Sequence, residues 1–312
     1  MANTERVGLQ ALKAVAGVPR DVNCTHVGFV LGPRLNAAGR MVHGELVMEL
    51  LTTNDSVRAG KLARKLNKLN TDRQEIEARI KELAIKQVEA NSEMPWGLVI
   101  WNHDFHTGVI GLVAQRLVER YYRPVVVIGS DQGSFKGSVR GIAGFNVVEA
   151  LSALSPYLER FGGHEGAGGF SIAEEKIPEF VEAFNGECRR RLQGQELEPY
   201  AMADTEAGLE DITPALIDEL KSFAPFGVGN PSPTVLIKGL KVTDRRVLKN
   251  EHTKVVLSDS RRNIAGLMWR ERHHPALELG LKVDVACRPD KSLYAGHYQL
   301  QLNLQAVQRA RT

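Results

Sequence analysis

The chain has 312 residues, of which 43% are hydrophobic and 25% are charged, a balance typical of a globular protein with about two domains. No apolar run approaches the roughly 18 residues that a membrane span needs. Residues 1–6 also lack the basic-then-apolar layout of a secretory signal. The cysteines Cys24, Cys188 and Cys287 are far apart and suggest neither a zinc site nor a disulfide framework. These features argue against a membrane or secreted protein and predict a reducing, cytoplasmic location.

Positive charge is concentrated near the carboxy terminus. Residues 238–312 hold 15 Lys and Arg against 7 Asp and Glu, although the whole chain carries only +3. Such asymmetry is typical of a segment that meets a polyanion, and equally of a well-solvated surface.

The first elements in chain order are short. Residues 5–16 predict an amphipathic helix that ends at a Gly/Pro break. Residues 27–40 predict an apolar strand that runs into a Gly-Pro turn. Three anion-binding groups are closely spaced there, namely Arg34, Asn36 and Arg40. A second short helix is predicted over 43–52.

A long helix is predicted over 54–92. Asp55 and its neighbours offer an N-cap, and no proline follows until Pro95. The apolar positions step by three and four, except where Arg73 interrupts them. At 1.5 Å per residue the helix would span roughly 58 Å, which favours one helix linking two lobes over a coiled-coil seam.

From residue 94 the pattern alternates between strands and helices. Strands are predicted at 96–102, 124–129, 134–140 and 167–173, and helices at 106–122, 145–161 and 177–192. Near-continuous apolar strands predict an α/β domain whose sheet is covered on both faces. Beyond residue 223, five short β segments with polar turns predict a small barrel, for which the five-stranded oligonucleotide-binding (OB) fold is the best candidate.

Two short motifs carry the groups best suited to bind phosphate. In GSVR (137–140), Ser138 and Arg140 would share one face of a strand and form a pair of donors. In GGH (162–164), Gly162 and Gly163 would let the backbone approach a ligand, and His164 could donate to a phosphate or ligate a metal. The alternative is a turn with two glycines and a histidine bonded to the main chain.

The run HDFH (103–106) resembles a metal site, but its spacing matches no standard signature. We expect Asp104 to cap a helix that begins near residue 106, and His106 to be the more interesting histidine. No phosphate-binding loop ending in Gly-Lys-Ser/Thr is present, and no Asp-x-Asp or Asp-His-His cluster that could hold a pair of divalent metals.

The barrel region supplies basic candidates for nucleic-acid binding near its first two strands and their turn. They are Arg245, Arg246, Lys249, Lys254, Arg261 and Arg262. Aromatic residues for base stacking are few, namely Trp269, Tyr294 and Tyr298. We therefore expect backbone contacts to dominate, with strong salt dependence and little sequence preference.

Several motifs occur together and in a fixed order. They are GPRLNAAGR (32–40), LNTDRQEIE (69–77), HTGVIG (106–111), GSVR, GGH and PFGVGNP (225–231). In this combination the chain resembles, over nearly its whole length, the carboxy-terminal part of the RecJ single-strand exonucleases, in the DHH phosphoesterase superfamily. The resemblance implies a DHH-domain tail (1–53), a long connecting helix (54–93), an α/β DHH-associated domain (94–195) and an all-β OB-fold barrel (196–312).

The resemblance also implies roles for the candidate residues. The family members are 5′-to-3′ single-stranded-DNA exonucleases in which a DHH domain holds manganese or magnesium. Ser138 and Arg140 would grip a backbone phosphate, and His164 would be the catalytic residue facing the metal-bound phosphate. The remaining substrate-binding candidates are Gly162, Gly163, His106, and Arg34 with Asn36 and Arg40 behind it at the 5′ end.

The chain departs from the family pattern in two places. Gly141 follows GSVR where the family has a polar serine, and the DHH metal motifs are missing. We therefore expect the metal ligands to lie mostly outside this chain, and the chain alone to be inactive. Alternatives are a natural non-catalytic single-strand-binding protein, or a phosphodiesterase for short oligonucleotides, against which the basic barrel argues. The implied partners are single-stranded DNA, a single-strand-binding protein and a repair helicase, with a monomeric chain and no membrane.

Overall fold

A computed structural model describes residues 3–20, 22–131, 133–227, 229–294 and 297–310. The side chains of residues 293–297 lie outside that description, so Tyr294 as a stacking candidate does too. The chain divides into two compact units, Met1–Glu198 and Pro199–Thr312. No helix in the described part of the chain is long and apolar enough to cross a membrane.

The first unit contains seven α-helices among its described residues. They are α1 Val7–Ala16, α2 Gly32–Met41, α3 Glu45–Thr52, α4 Ser56–Glu89, α5 Ile110–Tyr121, α6 Val147–Ala153 and α7 Ile177–Leu192. The helices α1 to α3 pack with the first half of α4 around a small core. Its buried members are Leu12, Leu31, Ala38, Leu50, Ala59, Leu62, Ala63 and Leu66.

The strand predicted within 27–40 is wrong, because this segment is helical. A π-helical turn, His26–Leu31, runs directly into α2. The N–H of Gly32 donates to the carbonyl of Val27 in this π-helical turn, and Pro33 follows it, so Gly32-Pro33 lies inside a continuous helical segment instead of ending a strand.

The long helix is confirmed as α4, with 34 residues. Asp55 caps it, and its Oδ1 accepts the N–H groups of Val57 at 2.8 Å and Arg58 at 3.1 Å. The first half of α4 packs in the small core, whereas Ile80, Ala84 and Val88 pack in the core of the sheet that follows. One helix is therefore shared by two hydrophobic cores.

Five strands form the sheet of the first unit. They are β1 Leu98–Trp101, β2 Val125–Asp131, β3 Ser134–Arg140, β4 Arg160–His164 and β5 Ala167–Ile172, in the order β1-β2-β3-β5-β4. Among these strands β1 and β2 are parallel, and the other pairs are antiparallel. Residues 125–129 of β2 are all buried, so that strand is covered on both faces, as expected. At the edge of the sheet formed by β4, the expectation that both faces are covered fails, because every residue of β4 is exposed.

Two predicted helices of this unit are shorter than expected. The helix expected at 106–122 begins at Ile110 with Val109 as its N-cap, so Asp104 does not cap it. The helix expected over 145–161 is α6, which ends at Ala153. Residues 160–164 form β4, because the glycines there favour an extended edge strand over a helix.

Within its described residues, the second unit is a closed five-stranded barrel preceded by one α-helix, α8 Pro214–Ser222. A two-residue strand, β6 Thr205–Glu206, pairs with the first barrel strand. The barrel strands are β7 Val235–Leu248, β8 His252–Ser258, β9 Asn263–Met268, β10 Lys282–Tyr294 and β11 His297–Arg309. The pairing order β7-β8-β9-β11-β10 closes through β10 and β7, and within this ring β9 and β11 are the parallel pair. This confirms the OB-type barrel.

Candidate phosphate-binding site and nucleic-acid interface

Ser138 and Arg140 lie at the end of β3 and point to the same side of the sheet. Arg140 Nη1 donates to Ser138 Oγ at 3.0 Å. Gly111, in the first turn of α5, lies against both groups, since an added Cβ would be 2.9 Å from Arg140 Nη2 and from Ser138 Oγ. The guanidinium, the hydroxyl and the positive end of a helix therefore converge on one point, as an anion site requires.

Arg40, at the end of α2, brings a second guanidinium to this point. Its Nη1 donates to the carbonyl of Gly108 at 3.2 Å. Burial, and then the positive charge of Arg40, lower the pKa of Arg140. Within the described residues neither arginine has a carboxylate within ion-pair distance. A bound anion would relieve this repulsion, which makes the pair suited to a phosphate.

His106 lies in the loop that carries Gly108. The N–H of Gly108 donates to His106 Nδ1 at 3.0 Å, so the neutral ring carries its proton on Nε2. The side chain is half-buried. The structure thus places His106 in the loop that contacts Arg40, with one ring nitrogen left as a donor.

His164 lies on the same face of the sheet as Ser138 and Arg140. Ala167 of β5 is opposite Arg140 on one side and His164 on the other. Two strand spacings separate these backbones, about 10 Å. The N–H of Gly166 donates to His164 Nδ1 at 3.3 Å, which leaves Nε2 toward solvent. The alternative interpretation expects His164 to bond the main chain, and this bond is present. His164 nevertheless lies on a strand at a position that faces the candidate site.

Ala167 lies between Arg140 and His164, and glycines occupy the neighbouring row of the same face, beside Ser138. Gly169 lies opposite Ser138 in β3 and opposite Gly162 in β4, and both glycines are exposed. An added Cβ at Gly162 would meet nothing within 4 Å. The glycine row that starts at Ser138 is therefore flat, and a ligand can rest on main chain there, next to the small side chain of Ala167 that lies between the arginine and the histidine.

Gly163 has a different role from Gly162. Its φ is +152°, and an added Cβ would lie 2.3 Å from the carbonyl oxygen of Ala167. Gly168, opposite it, is pressed against Leu151 of α6 on the other face of the sheet. Gly163 is thus required by the backbone, whereas Gly162 faces the candidate site.

The structure does not bring Arg34 together with Arg40, because α2 directs them to different sides. Arg34 Nε donates to Asn67 Oδ1 at 2.9 Å and its Nη1 to the carbonyl of Val30 at 2.6 Å. Burial lowers the pKa of this guanidinium. Asn36 is exposed and lies one turn before Arg40. The expected three-residue anion group is therefore divided, and a role for Arg34 at the 5′ end stays a prediction.

One further cation shares the face of the site, and motif analysis overlooked it. Arg160 lies opposite Ser171 in β4 and β5, on the side of the sheet that carries Gly162 and His164. Only the strand register reveals this position, since the sequence between 145 and 161 predicts a helix.

The six basic candidates of the barrel fall into two groups. Arg246 of β7 and Lys254 of β8 are directly paired, and both face outward. Lys249 and Arg261 are exposed in the turns on either side of β8. Two others make internal bonds: Arg245 contacts His273 Nδ1 at 2.7 Å, and Arg262 donates to the carbonyls of Leu209 and Glu210 at 3.1 and 3.2 Å.

Metal ligands are a separate matter. In the part of the chain that the structure describes, no three His, Cys, Asp or Glu side chains are grouped so that they could hold a metal ion. The residues present therefore do not fit a di-metal centre, although they fit a phosphate.

Comparisons with known proteins agree with this architecture. A family model for the DHHA1 domain matches residues 90–190, and one for the RecJ OB domain matches residues 203–306. The single-stranded-DNA-specific exonuclease RecJ of Bacillus subtilis is 36% identical over 261 residues, which is 83% of this chain and 33% of the relative. The RecJ of Thermus thermophilus is 32% identical over 306 residues, which is 96% of this chain and 42% of the relative.

Solved structures give the same answer. The crystal structure of RecJ from Thermus thermophilus in complex with Mn²⁺ has a TM-score of 0.83 at 28% identity, covering 99% of this chain and 45% of that one. The Mg²⁺ complex of the same protein has a TM-score of 0.82.

A DHHA1 domain followed by an OB barrel, with a candidate phosphate-binding face on the DHHA1 sheet, defines a chain of the DHH phosphoesterase class. More specifically, the chain belongs to the RecJ family. It spans between about a third and a half of the length of the curated relatives it matches.

Proposed function

We propose that this chain is the substrate-gripping, carboxy-terminal portion of a RecJ-type 5′-to-3′ single-stranded-DNA exonuclease. The observation that carries the proposal is the convergence of Arg40, Arg140, Ser138 and the start of α5 on one point, where no described carboxylate pairs with either arginine. In this proposal residues 1–53 are the tail of a DHH domain, 54–93 the connecting helix, 94–195 the DHH-associated domain and 196–312 the OB domain.

Each side chain has a role that its geometry supports. Arg140 and Arg40 hold a phosphate through charge-assisted hydrogen bonds, and Ser138 Oγ adds a neutral donor. His164, about 10 Å from Arg140 across Ala167, contacts a neighbouring phosphate or the reacting one through Nε2. Because arginine and histidine side chains can each reach over this distance, one strand can contact both groups.

The metal ions belong to the proposal only through the relatives. The RecJ of Thermus thermophilus was solved with Mn²⁺ and with Mg²⁺. Since the described residues offer no ligand group for such ions, we propose that the ligands lie in a DHH domain outside this chain. The chain alone then binds single strands and releases no nucleotide.

The cellular setting is proposed on the same basis. We place the chain in the cytoplasm, as a monomer, acting on single-stranded DNA with a single-strand-binding protein and a repair helicase as partners. Repair and recombination of DNA are the processes that such an activity serves.

The first experiment measures binding and cleavage of a 5′-phosphorylated single-stranded DNA of about 20 nucleotides with Mn²⁺ present. We expect binding that Arg140→Ala weakens by tenfold or more, since a charged hydrogen bond in a partly buried site contributes about 1.5–3 kcal/mol. Arg79→Ala, which removes an exposed arginine from α4, is the matched control and should bind as the unmodified chain does.

Two outcomes would contradict the proposal. Nucleotide release that His164→Ala abolishes would mean that this chain contains its own metal site. A preference for dinucleotides over the long strand would indicate a phosphodiesterase for short oligonucleotides instead. If the chain binds without cleaving, addition of a separately produced DHH domain tests whether it completes an enzyme or serves as a binding protein.

A further inference from the structure

The first half of α4 carries exposed cations without the acids that accompany them elsewhere in the chain. Between Asp55 and Asp72 the sequence has five Lys and Arg and no Asp or Glu. From residue 58 to residue 71, every exposed residue is basic except Thr71. Steps of three and four residues place most of these cations along one side of the helix. We call four of them the basic row, namely Lys61, Arg64, Lys65 and Lys68.

The basic row lies on the side of α4 that faces solvent. Leu62 and Leu66, which alternate with its members in the sequence, are buried in the small core with α1 to α3. The candidate phosphate site is formed by residues of α2, α5 and β3, and no member of the row belongs to it. A ligand on the basic row therefore leaves the candidate phosphate site free.

The basic row keeps its positive charge in the folded chain. Among the described residues, no carboxylate lies within ion-pair distance of its four members. Glu49 of α3 is bonded instead to Arg58, the fifth cation of this half. That bond is the largest cause of the lowered pKa of Glu49, and the charge of Lys65 is a smaller one. Glu49 is thus already engaged outside the row.

Helix stability does not account for the basic row. Its members include two pairs that are four residues apart, and like charges at this spacing destabilise a helix. In the second half of α4 the same spacing joins opposite charges, Arg73 with Glu77 at 2.6 Å and Lys86 with Glu82 at 2.8 Å. A helix whose surface served only folding and solubility would carry such pairs throughout. The row therefore disfavours its own helix, as functional surfaces do, and a bound polyanion would relieve the repulsion.

The composition of α4 indicates which polyanion fits. Residues 56–89 contain no Phe, Tyr or Trp, so the row offers no ring on which an unpaired base could stack. A protein partner would need an apolar centre to the interface, whereas Val57, the exposed apolar residue of this half, lies beyond the end of the row. The DNA double helix presents phosphates and hides its bases. From Lys61 to Lys68 the row rises about 10.5 Å, a length over which one strand of a duplex has about three phosphates.

We propose that the basic row binds the phosphate backbone of double-stranded DNA without sequence preference. This binding goes beyond the proposed single-strand function and does not depend on it, because other residues carry it. A chain with both surfaces holds a duplex through α4 while a single strand occupies the candidate phosphate site. Contacts of this kind position a nucleic acid and do not read its sequence.

The test measures binding of the full chain to a blunt DNA duplex of about 20 base pairs by fluorescence anisotropy. We expect Lys65→Gln/Lys68→Gln to weaken duplex binding by about tenfold or more at low salt. The slope of the logarithm of affinity against the logarithm of salt concentration should become less steep by about 1.8, because each phosphate contact with B-form DNA contributes about 0.9. Oligothymidine of the same length should bind this variant nearly as it binds the unmodified chain.

Arg79→Gln/Lys81→Gln is the matched control. It removes the same charge from exposed positions in the second half of α4, where acids are interspersed, and it should bind the duplex normally. The melting temperature of Lys65→Gln/Lys68→Gln should be unchanged or higher, since the substitutions remove like-charge repulsion and Gln favours a helix about as well as Lys does. Duplex binding that is lost without a lower melting temperature is then a loss of contacts and not of folding.

The other outcomes overturn the inference in distinct ways. Unchanged duplex affinity in Lys65→Gln/Lys68→Gln would show that the row is solvated surface. Equal losses for the duplex and for oligothymidine would show that it binds any nucleic-acid strand. Poly-glutamate that binds the unmodified chain more tightly than the duplex does would assign the row to an acidic protein. If the unmodified chain binds the duplex through the row but does not bind oligothymidine, the proposed function fails and this inference stands.

Discussion

At the scale of single residues, the candidate site depends on neighbouring glycines that have different roles. Gly163 has a φ that side chains rarely adopt and no room for a Cβ, whereas Gly162 has open space above it. The first shapes the strand, and the second keeps the glycine row beside Ser138 flat. A motif of two identical residues therefore combines one structural requirement with one functional requirement.

A pair of substitutions distinguishes these roles. We expect Gly163→Ala to lower the free energy of unfolding by on the order of 2 kcal/mol, because the new Cβ strains the backbone and meets the carbonyl of Ala167. Gly162→Ala should leave thermal stability nearly unchanged and weaken DNA binding. Thermal denaturation and anisotropy measure the two effects. Equal melting temperatures for the two variants would show that our distinction is wrong.

The residue-scale comparison also shows what the sequence predicts well. Short motifs are enough to select Ser138, Arg140 and His164, and the register places them on one face because residues opposite each other across strands share a face. The close spacing of Arg34 and Arg40 in the sequence makes Arg40 a candidate. In the structure Arg40 contacts the loop of the site from the end of α2, whereas Arg34 bonds Asn67 instead. Its nearness to Arg140 depends on tertiary packing, which local spacing does not encode.

At the scale of elements, α4 contains a charged group where its apolar stripe is interrupted. Arg73 Nη1 bonds Glu77 Oε2 at 2.6 Å, and both side chains are largely buried, with 11% and 16% of their surface exposed. Arg116 of α5 lies 3.7 Å from Glu77. The sequence shows Arg73 and Glu77 one turn apart, but it does not show Arg116, the second partner of Glu77, because α5 is distant in sequence.

We predict opposite results for single and double substitutions at this ion pair. Glu77→Leu alone should destabilise the chain by about 3 kcal/mol, since it leaves Arg73 buried without its carboxylate. Replacing both residues with Leu should restore most of that loss, because two apolar groups need no partner. Urea denaturation of the three chains measures this. A double variant less stable than Glu77→Leu would contradict the prediction.

The element boundaries that sequence analysis misses share a physical cause. Glycine and proline at 32–33 suggest a break, yet a helical segment runs through them, and the glycines at 162–163 belong to a strand that no apolar pattern indicates. Proline can follow a π-helical turn, and glycine pairs can line an edge strand, so neither residue defines an element without its neighbours. The barrel strands are predicted correctly because alternation of inward and outward residues is a local pattern.

At the scale of the whole molecule, the charge imbalance seen in the sequence corresponds to the barrel unit. Arg246 and Lys254 are paired on its outer face, where Arg246 Nη2 also lies 3.5 Å from Asp244 Oδ2, while Arg262 is used internally. The net charge of the region therefore overstates the number of groups that can meet a phosphate. Charge counts predict the kind of ligand, and the structure indicates how many contacts to expect.

Salt dependence provides the corresponding measurement. We expect the logarithm of the association constant for oligothymidine to fall linearly with the logarithm of salt concentration, with a slope of about −0.7 for each phosphate contacted. Arg246→Ala should reduce the slope by roughly that amount, whereas Arg262→Ala should not. An unchanged slope in Arg246→Ala would exclude this side chain from phosphate binding.

The continuous helix α4 has a consequence for how the first unit unfolds. Leu62 and Leu66 belong to the core of the first helices, and Ile80 and Ala84 to the core of the sheet, within one ladder of backbone hydrogen bonds. Neither core can lose its packing without disrupting the helix on which the other core packs. Local opening of one core therefore lowers the stability of the other. Amide hydrogens of α4 around Leu66 and around Ile80 should accordingly exchange with the same opening free energy, as members of one cooperative unit.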